Sequence, residues 1–217
     1  MKPAIKKGIA AIAACLVVVV LDQLLKIWVK TNLQLGEQIV VFDWFRIAFV
    51  ENNGMAFGME LGSKLFLTLF RIVLVVLLTV YIVRLVKRPA AKTGYIVCIA
   101  LIIAGAVGNI IDCVFYGVVW NYAPLFFGKV VDMLYFPLFS FTWPEWMPFV
   151  GGNEFEFFQP VFNIADAAIT IGILTILIFY YRSLTSSNDS DEKDKRDRKA
   201  DSDHEADTAE SSHPTSL

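Results

Sequence analysis

Three aspartates that lie against apolar runs are the residues of this chain best equipped for chemistry. They are Asp112 in Gly108-Asn109-Ile110-Ile111-Asp112, Asp132 in Gly128-Lys129-Val130-Val131-Asp132-Met133, and Asp166 in Phe162-Asn163-Ile164-Ala165-Asp166. Ionisable groups in or beside a membrane span are costly and mark functional sites. Such a carboxylate can act as an acid or base, ligate an ion, relay protons, or complete a structural ion pair. Two carboxylates brought together change that balance, because like charges sharing a site cannot both ionise. One then activates a water as base while the other donates a proton to a scissile carbonyl. This aspartyl-protease chemistry requires no Ser, Cys, His or metal, and the inventory agrees. The two histidines, His204 and His213, lie in a polar tail, and the three cysteines, Cys15, Cys98 and Cys113, fall in or at the ends of apolar runs. An odd cysteine count so placed argues against a disulfide framework and a Cys-based metal site. No metal and no cofactor is expected.

Asn-x-x-Asp recurs at Asn109/Asp112 and Asn163/Asp166. Residues i and i+3 share a helix face, so each amide is expected beside its own aspartate. Asn is also a favoured N-cap, which suits Asn163 at a span entry better than Asn109 near a span exit. Asp22 and Lys26, at i and i+4, read either as a local ion pair near the interface or as support for the site. Gly105 and Gly108, flanked by Ala104 and Ala106, let helices approach closely. Asn52-Asn53-Gly54 reads as a turn, and Met55 and Phe57 beyond it suggest a loop lying over an acyl chain.

The elements that must position these residues follow from composition. The chain has 217 residues, 56% of them hydrophobic, and a mean hydropathy of +0.58. That is too apolar for an ordinary soluble domain and predicts an α-helical polytopic membrane protein. Four stretches are expected to span about 30 Å of hydrocarbon, at about 8–29, 65–86, 93–111 and 164–181. Lys2, Lys6, Lys7, Arg84, Lys87, Arg88, Lys92 and Arg182 place both termini and the 87–92 connection in the cytoplasm. The connections at about 30–64 and 112–160 then face outward. In the first, Ile39–Phe42 and Arg46–Val50 predict strands, hence a small extracytoplasmic sheet. The second is rich in aromatic and proline residues that favour the headgroup zone. Gly151-Gly152-Asn153 reads as a flexible turn, and residues 183–217 as a disordered charged cytoplasmic tail.

Together these stretches resemble the lipoprotein signal peptidase family, the bacterial type II signal peptidases. Five motifs match in order: Asp22 with Lys26; Asn52-x-Gly54-x-Ala56-Phe57-Gly58; Gly108-Asn109-x-x-Asp112; Gly128-x-Val130-Val131-Asp132; and Phe162-Asn163-x-Ala165-Asp166. The match covers about residues 8–182. The resemblance implies an inner-membrane aspartyl endopeptidase with its site near the outer face. Its substrates would be prolipoproteins carrying diacylglyceryl on a cysteine, cut just before that residue. It further implies a catalytic pair, Asp132 and Asp166, supported by Asp22, Lys26, Asn52, Gly54, Asn109, Asp112 and Asn163. The expected partners are these lipid-modified substrates and membrane lipid, with no nucleic acid and a monomeric enzyme.

The chain departs from the family pattern in three places. Cys113 stands where the family has an Arg that donates to a substrate carbonyl; Lys129 is one candidate to replace it. The interval from Asp112 to Asp132 is long, which opens a rival register through Gly117-Val118-Val119-Trp120-Asn121. Asn121 cannot exchange a proton at neutral pH, so Asp132 is preferred. An aromatic insert also lengthens the stretch before Asp166. Ile12-Ala13-Ala14-Cys15 looks like a lipoprotein cleavage box, but the apolar run continues to Leu21, as an uncleaved span requires. Two other classes remain open. A proton-coupled carrier using Asp22, Asp112 and Asp166 lacks an inverted repeat; a membrane scaffold leaves the outward acids unexplained.

Overall fold

The computed structural model describes residues 2–52, 61–157 and 159–181. The chain divides into two compact units, residues 1–174 and 175–217. Of the second, the described part is the end of the last helix and the residues directly after it.

The four apolar stretches are helices, and a small sheet accompanies them. α1 runs Pro3–Asn32, with proline in its first turn, where no intrahelical N–H partner is lost. It passes through Cys15 without interruption. α2 runs Leu61–Val86 and ends shortly before Pro89. α3 runs Thr93–Ile111. α1, α2 and the segment 93–119 are long and apolar enough to cross a membrane, and the last helix, α5 (Ile164–Phe179), is apolar but shorter. α1 and α2 expose many apolar side chains, among them Ile12, Leu16, Val20, Phe66, Phe70 and Leu77. In a bilayer those faces meet lipid. α3 is largely buried, with Ile96, Ile99, Ala100, Ala104 and Ala106 inside.

The connection after α3 does not begin at Asp112, as the sequence suggested. The helix widens there into a π-turn, Asp112–Tyr116, and closes with one short turn, α4 (Gly117–Val119). π-turns inside helices occur often at functional sites. Here the following loop folds back on the widened turn: Gly128 N–H donates to Cys113 O at 2.8 Å and Phe126 N–H to Val114 O at 3.1 Å. A Cβ on Gly128 would lie 2.0 Å from Asp112 O, so this crossing requires glycine.

Among the described residues six strands occur, and they follow the sheet logic only in part. The two expected strands are β1 (Gln38–Phe42) and β2 (Phe45–Asn52), which pair antiparallel as a hairpin. β3 (Val130–Tyr135) then pairs antiparallel with β2, and β6 (Val161–Phe162) pairs with β3, giving the order β1-β2-β3-β6. Between β3 and β6, β4 (Phe139–Thr142) and β5 (Glu154–Phe157) form a separate hairpin. Gly151-Gly152-Asn153 is a turn in it, tied by Gly152 N–H to Trp143 O at 3.0 Å. Val131 and Met133 point to one side of β3 and pack with Val29, Leu33, Phe49 and Tyr116. Side chains alternate along a strand, so Asp132 points to the other side.

At the opposite end of the 1–174 unit, Lys7 Nζ donates to the carbonyls of Arg88 (3.0 Å) and Pro89 (3.2 Å). The start of α1 and the α2–α3 connection therefore share one end. α3 and α5 touch almost backbone to backbone, since a Cβ on Gly105 would sit 2.2 Å from Ala165 O and 2.7 Å from Ile169 Cγ1. Gly105→Ala should push α5 outward, lowering stability by about 1–3 kcal/mol, as overpacking does. Thermal unfolding in detergent measures this; an unchanged midpoint would contradict so tight a contact.

Candidate active site

The site is assembled from α1, the end of α3, β2, β3 and the first turn of α5. Asn163 caps α5: its Oδ1 accepts the Asp166 N–H at 2.9 Å. The amide's other end faces β3, and Nδ2 donates to Asp132 Oδ1 at 2.7 Å. Asn109 reaches across from α3, with Nδ2 donating to Asp166 Oδ1 at 2.7 Å. The two amides also meet, Asn163 Nδ2 to Asn109 Oδ1 at 3.2 Å. Each Asn therefore orients the aspartate of another element. This corrects the expectation from spacing, which set Asn109 beside Asp112. Asn52 lies opposite Val130 in the β2–β3 ladder, so it is the diagonal neighbour of Asp132. From there Asn52 Nδ2 donates to Asp132 Oδ2 at 3.1 Å.

Asp132 is 2% exposed. Burial pushes its carboxyl up to about 6, with the Asp166 charge adding to the rise; donation from Asn52 and Asn163 and the Lys26 charge oppose it. Asp166 stands in the first turn of α5, where the helix dipole favours negative charge.

Behind the two aspartates lies a buried ionic core. Lys26 Nζ contacts Asp22 Oδ2 at 2.8 Å and Asp112 Oδ2 at 2.7 Å, and all three side chains are 0% exposed. The i, i+4 pair read from the sequence is present, wholly enclosed by protein, and it borders the aspartates as a support would. Lys26 Nζ also donates to Asn109 Oδ1 at 3.0 Å, which turns that amide's NH₂ toward Asp166. Asp22 Oδ1 accepts the Ala165 N–H at 2.9 Å, and Asp112 Oδ2 the Val131 N–H at 3.3 Å. The core thus grips the backbone beside both Asp166 and Asp132. Among the described residues, no group of side chains has the makings of a metal site.

Two carboxyls from different elements are thus oriented by one bonded pair of amides. Known proteins resemble this chain over most of its length. The family described as Signal peptidase (SPase) II matches residues 14–182. A lipoprotein signal peptidase of Porphyromonas gingivalis is 48% identical over 194 residues, covering 82% of this chain and 85% of its own. The chain belongs to the signal peptidase II family. A lipoprotein signal peptidase of Amoebophilus asiaticus is 38% identical over 183 residues, covering 79% and 75%. Two solved structures of bacterial membrane enzymes, obtained by the in meso method, superpose well. The first has TM-score 0.59 at 28% identity, covering 81% of this chain and 90% of that one. The second has TM-score 0.57 at 30% identity, covering 77% and 90%.

Within this signal peptidase II chain, Asp22, Lys26, Asn52, Asn109, Asp112, Asp132, Asn163 and Asp166 converge. Gly54, Ala56, Phe57 and Gly58 lie outside the described residues. Asn121, the rival position, is an exposed turn residue with φ 55°. Lys129 is not aimed at the aspartates: its Nζ donates to Glu51 Oε2 at 2.8 Å, and Lys30 bonds the other Glu51 oxygen. Burial raises the Glu51 carboxyl, but the Lys129 and Lys30 ammoniums outweigh it and its pKa falls below the ordinary value. Sequence reasoning missed Gln23. Its Nε2 donates to Asp112 Oδ1 at 2.9 Å, and Tyr116 OH donates to its Oε1 at 3.2 Å. An amide one residue after Asp22 was the signal that could have found it.

Proposed function

We propose that this protein removes signal peptides from diacylglyceryl-modified prolipoproteins, cutting just before the lipidated cysteine with Asp132 and Asp166 as an aspartyl pair. The crossed Asn–Asp bonds carry this reading, because they tie two acids from distant parts of the chain to one bonded pair of amides. Asp132, with its carboxyl pushed up to about 6, holds the shared proton and donates it to the scissile carbonyl. Asp166 takes a proton from the attacking water. The tetrahedral intermediate then collapses, the C–N bond breaks, and the leaving amine receives a proton from the pair. Acid–base assistance of this kind contributes about 10²–10⁴ in rate; orientation of a lipid-anchored substrate supplies much of the remainder.

The protein is a bacterial inner-membrane protein. The end holding Lys7, Arg84, Lys87 and Arg88 faces the cytoplasm by the positive-inside rule, so the aspartates lie near the outer face. A substrate confined to the bilayer by its acyl chains reaches such a site by lateral diffusion. Purified protein incubated with a diacylglyceryl-modified precursor should release the signal peptide, and the same precursor without lipid should stay intact. No cleavage of the lipidated precursor would overturn the reading.

The acidity of Asp132 gives a pH test. Its proton is held below about pH 6 and lost above, so the alkaline limb of kcat/KM should report this group. Asn52 donates to the charged form, so Asn52→Leu should raise the pKa and move that limb to higher pH. A limb that stays put or moves down would count against Asp132 as the proton donor. The unfolded chain gives up this proton near 3.8, so Asp132 favours the folded state at low pH, and that contribution is lost as pH rises through about 6.

A further inference from the structure

The α2 helix places Lys64, Thr68 and Arg71 on one face, at i, i+4 and i+7, turned toward the π-turn and the loop after it. Lys64 Nζ donates to Phe127 O at 3.0 Å, and Thr68 Oγ1 donates to Lys64 O at 3.0 Å. Arg71 Nη1 donates to the Sγ of Cys113, the residue directly after Asp112, at 3.6 Å. Arginine ten positions into an apolar span is costly and marks function. A thiol is a weak acceptor for a guanidinium with five N–H donors. Asp112, the residue before Cys113 in the chain, is already engaged by Lys26, Gln23 and the Val131 N–H. Among the described residues, Arg71 is in no ion pair. Arg71 is half-buried, and Cys113 beside it is 2% exposed.

We infer that Arg71 is a substrate-binding residue: steered by Cys113, its guanidinium donates to a carbonyl oxygen of the bound lipopeptide beside the bond to be cut. The inference rests on the function proposed above. It assigns to α2 the donor that the family pattern would place at position 113 and that Lys129, tied to Glu51, does not supply.

The test uses the full-length protein in detergent and the diacylglyceryl-modified precursor, with kcat, KM and thermal midpoint measured separately. Arg71→Gln should lower kcat/KM roughly 10- to 100-fold, the usual worth of a hydrogen bond from a charged donor, at an unchanged midpoint. Adding Cys113→Arg to that variant, which returns a guanidinium from the other side of the contact, should restore at least about a tenth of the loss. Activity within twofold of the parent would overturn the inference. So would a loss that tracks a lowered midpoint and does not respond to Cys113→Arg, which would make Arg71 a strut. Should Arg71→Gln fail to accumulate, Arg71→Lys is read by the same criteria. A precursor whose lipid is joined by ether rather than ester bonds identifies the acceptor. A loss that persists points to a peptide carbonyl, and one that vanishes points to the acyl ester. If the parent protein itself leaves the precursor intact, the proposed function fails, and this is seen before any variant is compared.

Discussion

Asp132→Asn and Asp166→Asn should each reduce single-turnover cleavage of a lipidated precursor by at least about 10²–10⁴-fold, the usual contribution of a positioned acid or base. Asparagine keeps the shape of the side chain but exchanges no proton, so folding should survive. The Asn163 bond to Asp132 and the Asn109 bond to Asp166 each use one carboxyl oxygen, which an amide oxygen can replace. The double variant should be hardly worse than either single one, because groups acting as a unit do not contribute additively. Cleavage that survives both changes in a folded protein would remove the pair from the chemistry.

Lys26→Met carries the largest expected effect on stability. Lys26 is the cation between Asp22 and Asp112, and none of the three side chains reaches water. Removing one member of a buried ion pair leaves uncompensated charge and costs about 3–5 kcal/mol. Here two carboxylates lose their partner at once, so the variant should melt well below the parent in detergent or fail to accumulate. Activity should fall as well, because Asn109 loses the contact that orients its amide toward Asp166. Adding Asp22→Asn and Asp112→Asn should recover much of the stability and none of the activity. A single Lys26→Met variant with the parent's midpoint would mean that the core is solvated.

The sequence made the helices legible because their apolar runs are long, and the β1–β2 hairpin because its strands are short and rich in β-branched and aromatic residues. Asn163 was legible as a cap because a span entry has a local signature. β3 was not. Its Val130, Val131, Asp132, Met133 and Tyr135 are all buried, so no alternation of apolar and polar residues announces a strand. The continuation of α3 past Asp112 was hidden as well. An aspartate after an apolar run reads as an exit, unless one knows that Lys26 waits for it on α1. The crossed amides belong to tertiary structure, since spacing along one helix says nothing of what faces it. The same holds for Arg71, whose significance appears only opposite Cys113.

The short β3–β6 pairing, Leu134 to Phe162 and Tyr135 to Val161, closes the chain back on itself just before Asn163. Whatever lies beyond that clasp is a detour whose length the two acids do not feel. The aromatic hairpin there is thus a natural splice point. Its residues could be shortened or exchanged for foreign sequence, leaving the catalytic spacing intact while altering what the enzyme touches outside.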